Sequence, residues 1–149
     1  MRDAAVVGVG NADRGDDGAG IAVARAVAAA RSDVDVLEQG SGDPAALLDA
    51  LAPYRRVVIV DATVSDAEPG TVRLVSLSEA AGVLARTASS HGLGLATALA
   101  LGRELRALPG DLTLIGIEVG TLDHGSELSP AVAAAVPRAA EAVVAALDG

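Results

Sequence analysis

The chain is 149 residues long, the size of one ordinary domain, and carries a formal net charge of −9 with arginine as its only strongly basic residue type. That acidity excludes non-specific nucleic-acid and anionic-membrane binding, both of which need basic patches. Hydrophobic residues make up 51% of the chain, enough to bury a core and exclude disorder, while Tyr54 as the single aromatic excludes base stacking on aromatic platforms.

Short β-branched runs alternate with longer Ala/Leu runs, the pattern of an α/β sheet. Residues 4–9 form a continuous apolar run that stops at glycine-rich sequence, which predicts a buried first strand. From 18 to 31 the chain is alanine-rich, with Ile21, Ala24, Val27 and Ala28 at helical spacing. Residues 34–37 predict a second strand, and Asp43-Pro44 an N-cap with proline at the first helical position, opening a helix to about Leu51. Val57-Val58-Ile59-Val60 is the strongest strand and ends at Asp61.

Pro69-Gly70 is a turn, and residues 71–77 alternate as a strand with one wet face does. Because the turn is short, this fourth strand is expected antiparallel to the third; a parallel return needs a longer crossover. Ser89-Ser90-His91 opens a helix carrying Leu95, Ala98, Leu99, Gly102 and Leu105 along one side, and residues 111–118 are the last strand. Ser129-Pro130 starts a C-terminal helical region, where Pro137 predicts a kink or a fresh start, since a mid-helix proline costs ~3 kcal/mol.

The expected fold is a three-layer αβα sandwich: a mostly parallel twisted sheet of about five strands with one antiparallel strand. Residues 1–149 are expected to form one domain. No stretch reaches the ~20 uninterrupted apolar residues of a membrane span, and the N-terminus reads as a strand rather than a signal peptide. With no cysteine, disulfides, thiolate metal sites and a cysteine nucleophile are excluded, and a cytoplasmic location without membrane insertion is expected.

Ligands of open α/β sheets bind beyond the carboxyl ends of the strands. Three segments place polar residues there: the loop 8–20, Asp61-Ala62-Thr63, and Ser89-Ser90-His91-Gly92. Gly8-x-Gly10 invites a dinucleotide reading, but Asp13 stands where the third glycine belongs, and Asp13, Asp16 and Asp17 would repel a pyrophosphate. As a pair at a helix start, Asp16 and Asp17 are accounted for by capping alone. Position leaves Asp61 open between capping a turn amide and a functional role. A lone His91 reads first as an exposed loop residue, and His124 as a surface or rim residue.

Together, however, Asp17, Asp61 and His91 come from three strand-to-helix connections that such a sheet brings to one edge. Two carboxylates and an imidazole suit a first-row divalent ion and leave coordination positions open, as catalysis or a substrate-borne metal requires. No Gly-x-Ser-x-Gly elbow or His-Glu-x-x-His motif occurs.

At these residues the chain resembles the hydrogenase maturation proteases, endopeptidases that trim the C-terminal extension of the [NiFe] hydrogenase large subunit. The family's opening Gly-x-Gly-Asn…Asp-Asp-Gly-x-Gly signature is matched by Gly8, Gly10, Asn11, Asp16, Asp17, Gly18 and Gly20. Its strand ending in Asp-Ala is matched by Val57 to Ala62. Its Ser-x-His-x-x-Gly-Leu segment is close to Ser89 through Leu95, and its Leu-Ser/Thr-Pro helix start is similar to Leu128-Ser129-Pro130.

The resemblance implies nickel contact and a catalytic role for Asp17, Asp61 and His91. The nickel would arrive in the large-subunit precursor, so no permanently bound cofactor is expected. Asn11, Gly10 and Gly40 would shape the cleft, and Glu38 would help discriminate substrates. Asp13 stands where many members carry leucine, and Glu38-Gln39-Gly40-Ser41 where many carry Asp-Gly-Gly-Thr, departures that bear on the choice of partner hydrogenase. The competing reading is a nickel-sensing or assembly protein on the same fold without peptidase activity.

Overall fold

The computed structural model describes residues 2–10, 18–39, 44–63, 67–75, 90–119 and 128–149. Among the described residues nine elements follow in chain order: β1 (Arg2–Val9), α1 (Ala19–Ala30), β2 (Asp35–Gln39), α2 (Pro44–Leu51), β3 (Tyr54–Thr63), β4 (Val72–Val75), α3 (Ser90–Glu104), β5 (Asp111–Glu118) and α4 (Pro130–Asp148). The strands form one sheet in the order β2-β1-β3-β5-β4, parallel except for β4.

β3 is central, and from Val57 to Thr63 every residue is buried. A strand covered on both faces shows a continuous apolar run instead of alternation, which is why Val57–Val60 is so conspicuous in the sequence. On one face Val58, Val60, Ile115 and Ile117 pack against Val23 and Val27 of α1 and Val132, Ala139 and Val143 of α4. On the other, Val7, Val57, Ile59 and Leu114 pack against Leu47 and Leu51 of α2 and Ala98 and Leu99 of α3. With no Phe or Trp, the layers close on β-branched side chains and alanine.

β4 runs antiparallel, as its short turn predicts, but its hydrogen-bonded partner is β5, which lies between it and β3. The junction is closed by Gly70 N donating to the Glu118 carbonyl and Glu118 N donating to the Thr71 carbonyl, each at 2.8 Å.

Two expectations need correction. α4 is one helix from Pro130 to Asp148, so there is no fresh start at Pro137. Its buried stripe, Val132, Ala135, Ala139, Val143 and Leu147, keeps helical spacing across the proline. Pro137 is on the solvent side, and so is Ala133, whose carbonyl loses its usual helical donor and faces water instead.

Leu105 is not on the buried side of α3 but 64% exposed. The helix ends at Glu104, and Arg106 adopts φ 54°, a left-handed stop that lets Ala107 N reach back to the Gly102 carbonyl. Leu105 thus sits in the terminating turn.

By length and composition α4 could cross a membrane (mean hydropathy 1.4), yet its apolar stripe packs against α1 and the sheet.

Candidate active site

The parallel strands β1, β3 and β5 end at one edge of the sheet, and the chain is built to hold two helix starts against it. Gly10, just past β1, has φ 136°, a conformation that side chains disfavour, so the turn out of the strand calls for glycine. Beyond the connection, α1 is pressed onto the strand ends. A Cβ on Gly20 would collide with the carbonyl oxygens of Val60 and Val9, and one on Gly8 would lie 2.6 Å from the carbonyl oxygen of Gly20. These motif glycines therefore serve backbone-to-backbone contact between helix and sheet, not a pyrophosphate.

Val60 is the residue before Asp61, so the start of α1 is fixed within one residue of that carboxylate. Asp61 is 1% exposed, and its Oδ1 accepts a hydrogen bond from Ala62 N at 2.8 Å. The amide it meets is the next one in β3, not one of the following turn, and the carboxylate is buried at the carboxyl edge of the sheet. Asp61 shares a face with Ile59, the face covered by α2 and α3.

α3 leads into β5, whose first residue is at the opposite, amino edge. The start of α3 is therefore at the carboxyl edge, over the face that holds Asp61. His91 is the second residue of this helix, not a loop residue. Its side chain lies outside the described residues.

Asp17, Asn11, Gly40 and His124 also lie outside them. Gly18, the neighbour of Asp17, is buried and forms the N-cap of α1. The backbones flanking all three proposed ligands thus reach one edge. Among the described residues no three His, Asp or Glu side chains form a metal-binding group.

Glu38 is exposed on the edge strand β2 and held by Arg25, whose Nε and Nη2 donate to its two oxygens at 3.0 and 2.8 Å. Those hydrogen bonds keep its carboxyl below the usual glutamate range. Two further polar residues are buried: Thr63, from the strand-end segment already noted, and Glu118, which was not singled out from the sequence; they are 5% and 1% exposed, opposite each other at the ends of β3 and β5. The available signal is the one that marks Asp61, a polar residue closing a run of branched apolar ones. Two grooves, of about 420 and 270 Å³, lie at the amino edge around Tyr54 and Arg31, on the far side of the sheet from Asp61.

A mostly parallel sheet with two helix starts and a buried carboxylate at its carboxyl edge defines an open α/β protein, a class in which ligands bind at that edge. Residues 21–146 match the family model described as hydrogenase maturation protease, and the chain belongs to that family, whose members are peptidases. It is 33% identical over 145 residues to the hydrogenase 2 maturation protease of Escherichia coli K12, covering 95% of this chain and 88% of that one. The fold superposes on the hydrogenase maturating endopeptidase HybD from E. coli with TM-score 0.86 at 31% identity, covering 99% and 93% of the two chains. It superposes on the [NiFe] hydrogenase maturation protease HybD from Thermococcus kodakarensis with TM-score 0.78 at 33% identity, covering 97% and 98%.

Proposed function

We propose that this chain removes the C-terminal extension from a nickel-loaded [NiFe] hydrogenase large-subunit precursor in the cytoplasm. Asp17, Asp61 and His91 meet the nickel that the precursor carries, and no resident cofactor is required. Asn11 and Gly40 shape the cleft, and Glu38, set on the edge strand by Arg25, takes part in choosing the precursor.

The observation that carries the reading is the burial of Asp61 at the carboxyl edge of the central strand, the edge at which α1 and α3 both start. A buried carboxylate is held in its ionised form by hydrogen bonds and by nearby positive charge, and a divalent ion brought by the precursor adds such charge to the hydrogen bond from Ala62 N. Carboxylate and imidazole donors suit nickel, and three of them leave positions for the substrate's own ligands. Hydrolysis breaks one C–N bond and consumes one water. The metal supplies Lewis acidity toward the carbonyl or the water, and a carboxylate in this position is a candidate to accept the water's proton.

The test is to incubate the purified protein with nickel-loaded and nickel-free precursor and weigh the products. The expected result is a precursor shortened by its extension only when nickel is present. Stable binding of the loaded precursor without shortening would instead support a non-catalytic nickel sensor.

A further inference from the structure

We propose that Arg73 is a substrate-specificity residue that pairs with a carboxylate of the peptide lying across the strand ends, an inference that rests on the peptidase reading above. The sheet register places it. Asp61 of β3 is opposite Gly116 of β5, and Gly116 is opposite Arg73 of β4, so the three form one row across adjacent strands. Residues opposite one another in a ladder share a face, so Arg73 and Asp61 belong to the same face of the sheet. Between them Gly116 contributes no side chain. Its slot is filled by Thr63, whose Cγ2 would lie 2.9 Å from a Cβ on Gly116. The row therefore reads carboxylate, small floor, guanidinium.

Arg73 is exposed and makes no ion pair among the described residues. Most other arginines described are committed. Arg25, Arg31, Arg55 and Arg56 pair with carboxylates, and Arg138 donates to the Gly70 carbonyl. Arg103 lies in the last turn of α3 and Arg106 just beyond its end, at the amino edge. Among the described residues Arg73 is thus an uncommitted guanidinium at the carboxyl edge of an acidic protein. Its planar fork suits bidentate pairing with a carboxylate, which the buried acids Asp61 and Glu118 would repel.

The spacing sets where that carboxylate falls. Two strand intervals of about 4.8 Å separate Arg73 from Asp61, the length of about three residues of extended peptide. With the cleaved bond at Asp61, the paired group is about two to four residues away, on the side toward β4. It is either an acidic side chain or the chain terminus.

The experiment is steady-state cleavage of the nickel-loaded precursor by wild type, Arg73→Gln, Arg73→Glu and the equal-charge control Arg103→Gln. Arg73→Gln should lower kcat/KM about tenfold, mainly through KM, and Arg73→Glu should lower it further, while Arg103→Gln matches wild type. Changing the paired acidic side chain of the precursor to its amide, or amidating the terminus, should reproduce the loss in wild type and add nothing in Arg73→Gln. Whichever of the two changes does so identifies the source of the carboxylate. Wild-type kcat/KM in Arg73→Glu would overturn the inference and leave the peptidase reading standing. Failure of wild type to cleave would overturn both.

Discussion

Gly8 and Gly20 touch backbone to backbone: a Cβ on Gly8 would stand 2.6 Å from the Gly20 carbonyl oxygen and 2.9 Å from both the Ala24 Cβ and the Ile21 Cα. The contact seats α1 against β1 and so fixes the edge at which Asp61 is buried. Helix and strand cannot absorb a methyl group there without moving apart. Gly8→Ala is expected to lower unfolding stability by about 3 kcal/mol, the upper end for overpacking. Urea denaturation measures it, and a loss below about 1 kcal/mol would show that the two elements part easily.

Asp61 has two tasks that substitution separates. Asp61→Asn keeps an oxygen for Ala62 N, so the fold should survive, while processing of the precursor falls by about 10²-fold or more. Asp61→Ala also strips the partner from that amide and should cost about 1–3 kcal/mol of stability. Circular dichroism melts beside a precursor mobility assay distinguish the pair. Normal processing by Asp61→Asn would remove the carboxylate from the mechanism.

His91 opens α3 at the edge that holds Asp61. His91→Ala is expected to abolish removal of the extension and leave the melting curve essentially unchanged. Full processing by a folded His91→Ala variant would take the imidazole out of the site.

A titration at the opposite edge concerns stability alone. Arg31 donates through Nε and Nη2 to Asp33, both at 2.8 Å, and through Nη1 to Asp148, fastening the end of α1 to the end of α4. Chiefly through the Arg31 hydrogen bonds, the Asp33 carboxyl is pulled down from 3.8 to about 2. A carboxyl depressed in the folded state stabilises above its unfolded pKa and loses that contribution as pH falls through the folded value. The advantage of wild type over Asp33→Asn should therefore be constant above about pH 5 and vanish toward pH 2. Urea melts across that range test it; an advantage that grows on acidification would contradict the assignment.

The central layer was legible because β3, β1 and β5 are buried on both faces and write themselves as β-branched runs. Asp61 was legible for the same reason, as the charge that ends such a run. Pro137 misled because local propensity carries no information about the stripe from Val132 to Leu147 that holds α4 together. The partner of β4 was hidden because a short turn sets direction, whereas insertion of β5 depends on residues forty positions away. The burial of Glu118 and Thr63 was hidden because it arises only when β5 is placed beside β3. Gly8-x-Gly10 could be set aside as a dinucleotide signal from the sequence, through Asp13 and the neighbouring aspartates, but the close packing of Gly8 on Gly20 is visible only in the coordinates.

In the proposed reaction nickel is gripped jointly by the precursor and by Asp17, Asp61 and His91. Nickel-edge X-ray absorption on the loaded precursor, alone and freeze-trapped with the protein, measures this directly. Binding should add oxygen and nitrogen neighbours at about 2 Å, and Asp61→Asn or His91→Ala should reduce them. An unchanged nickel environment in a complex that goes on to cleave would contradict the account.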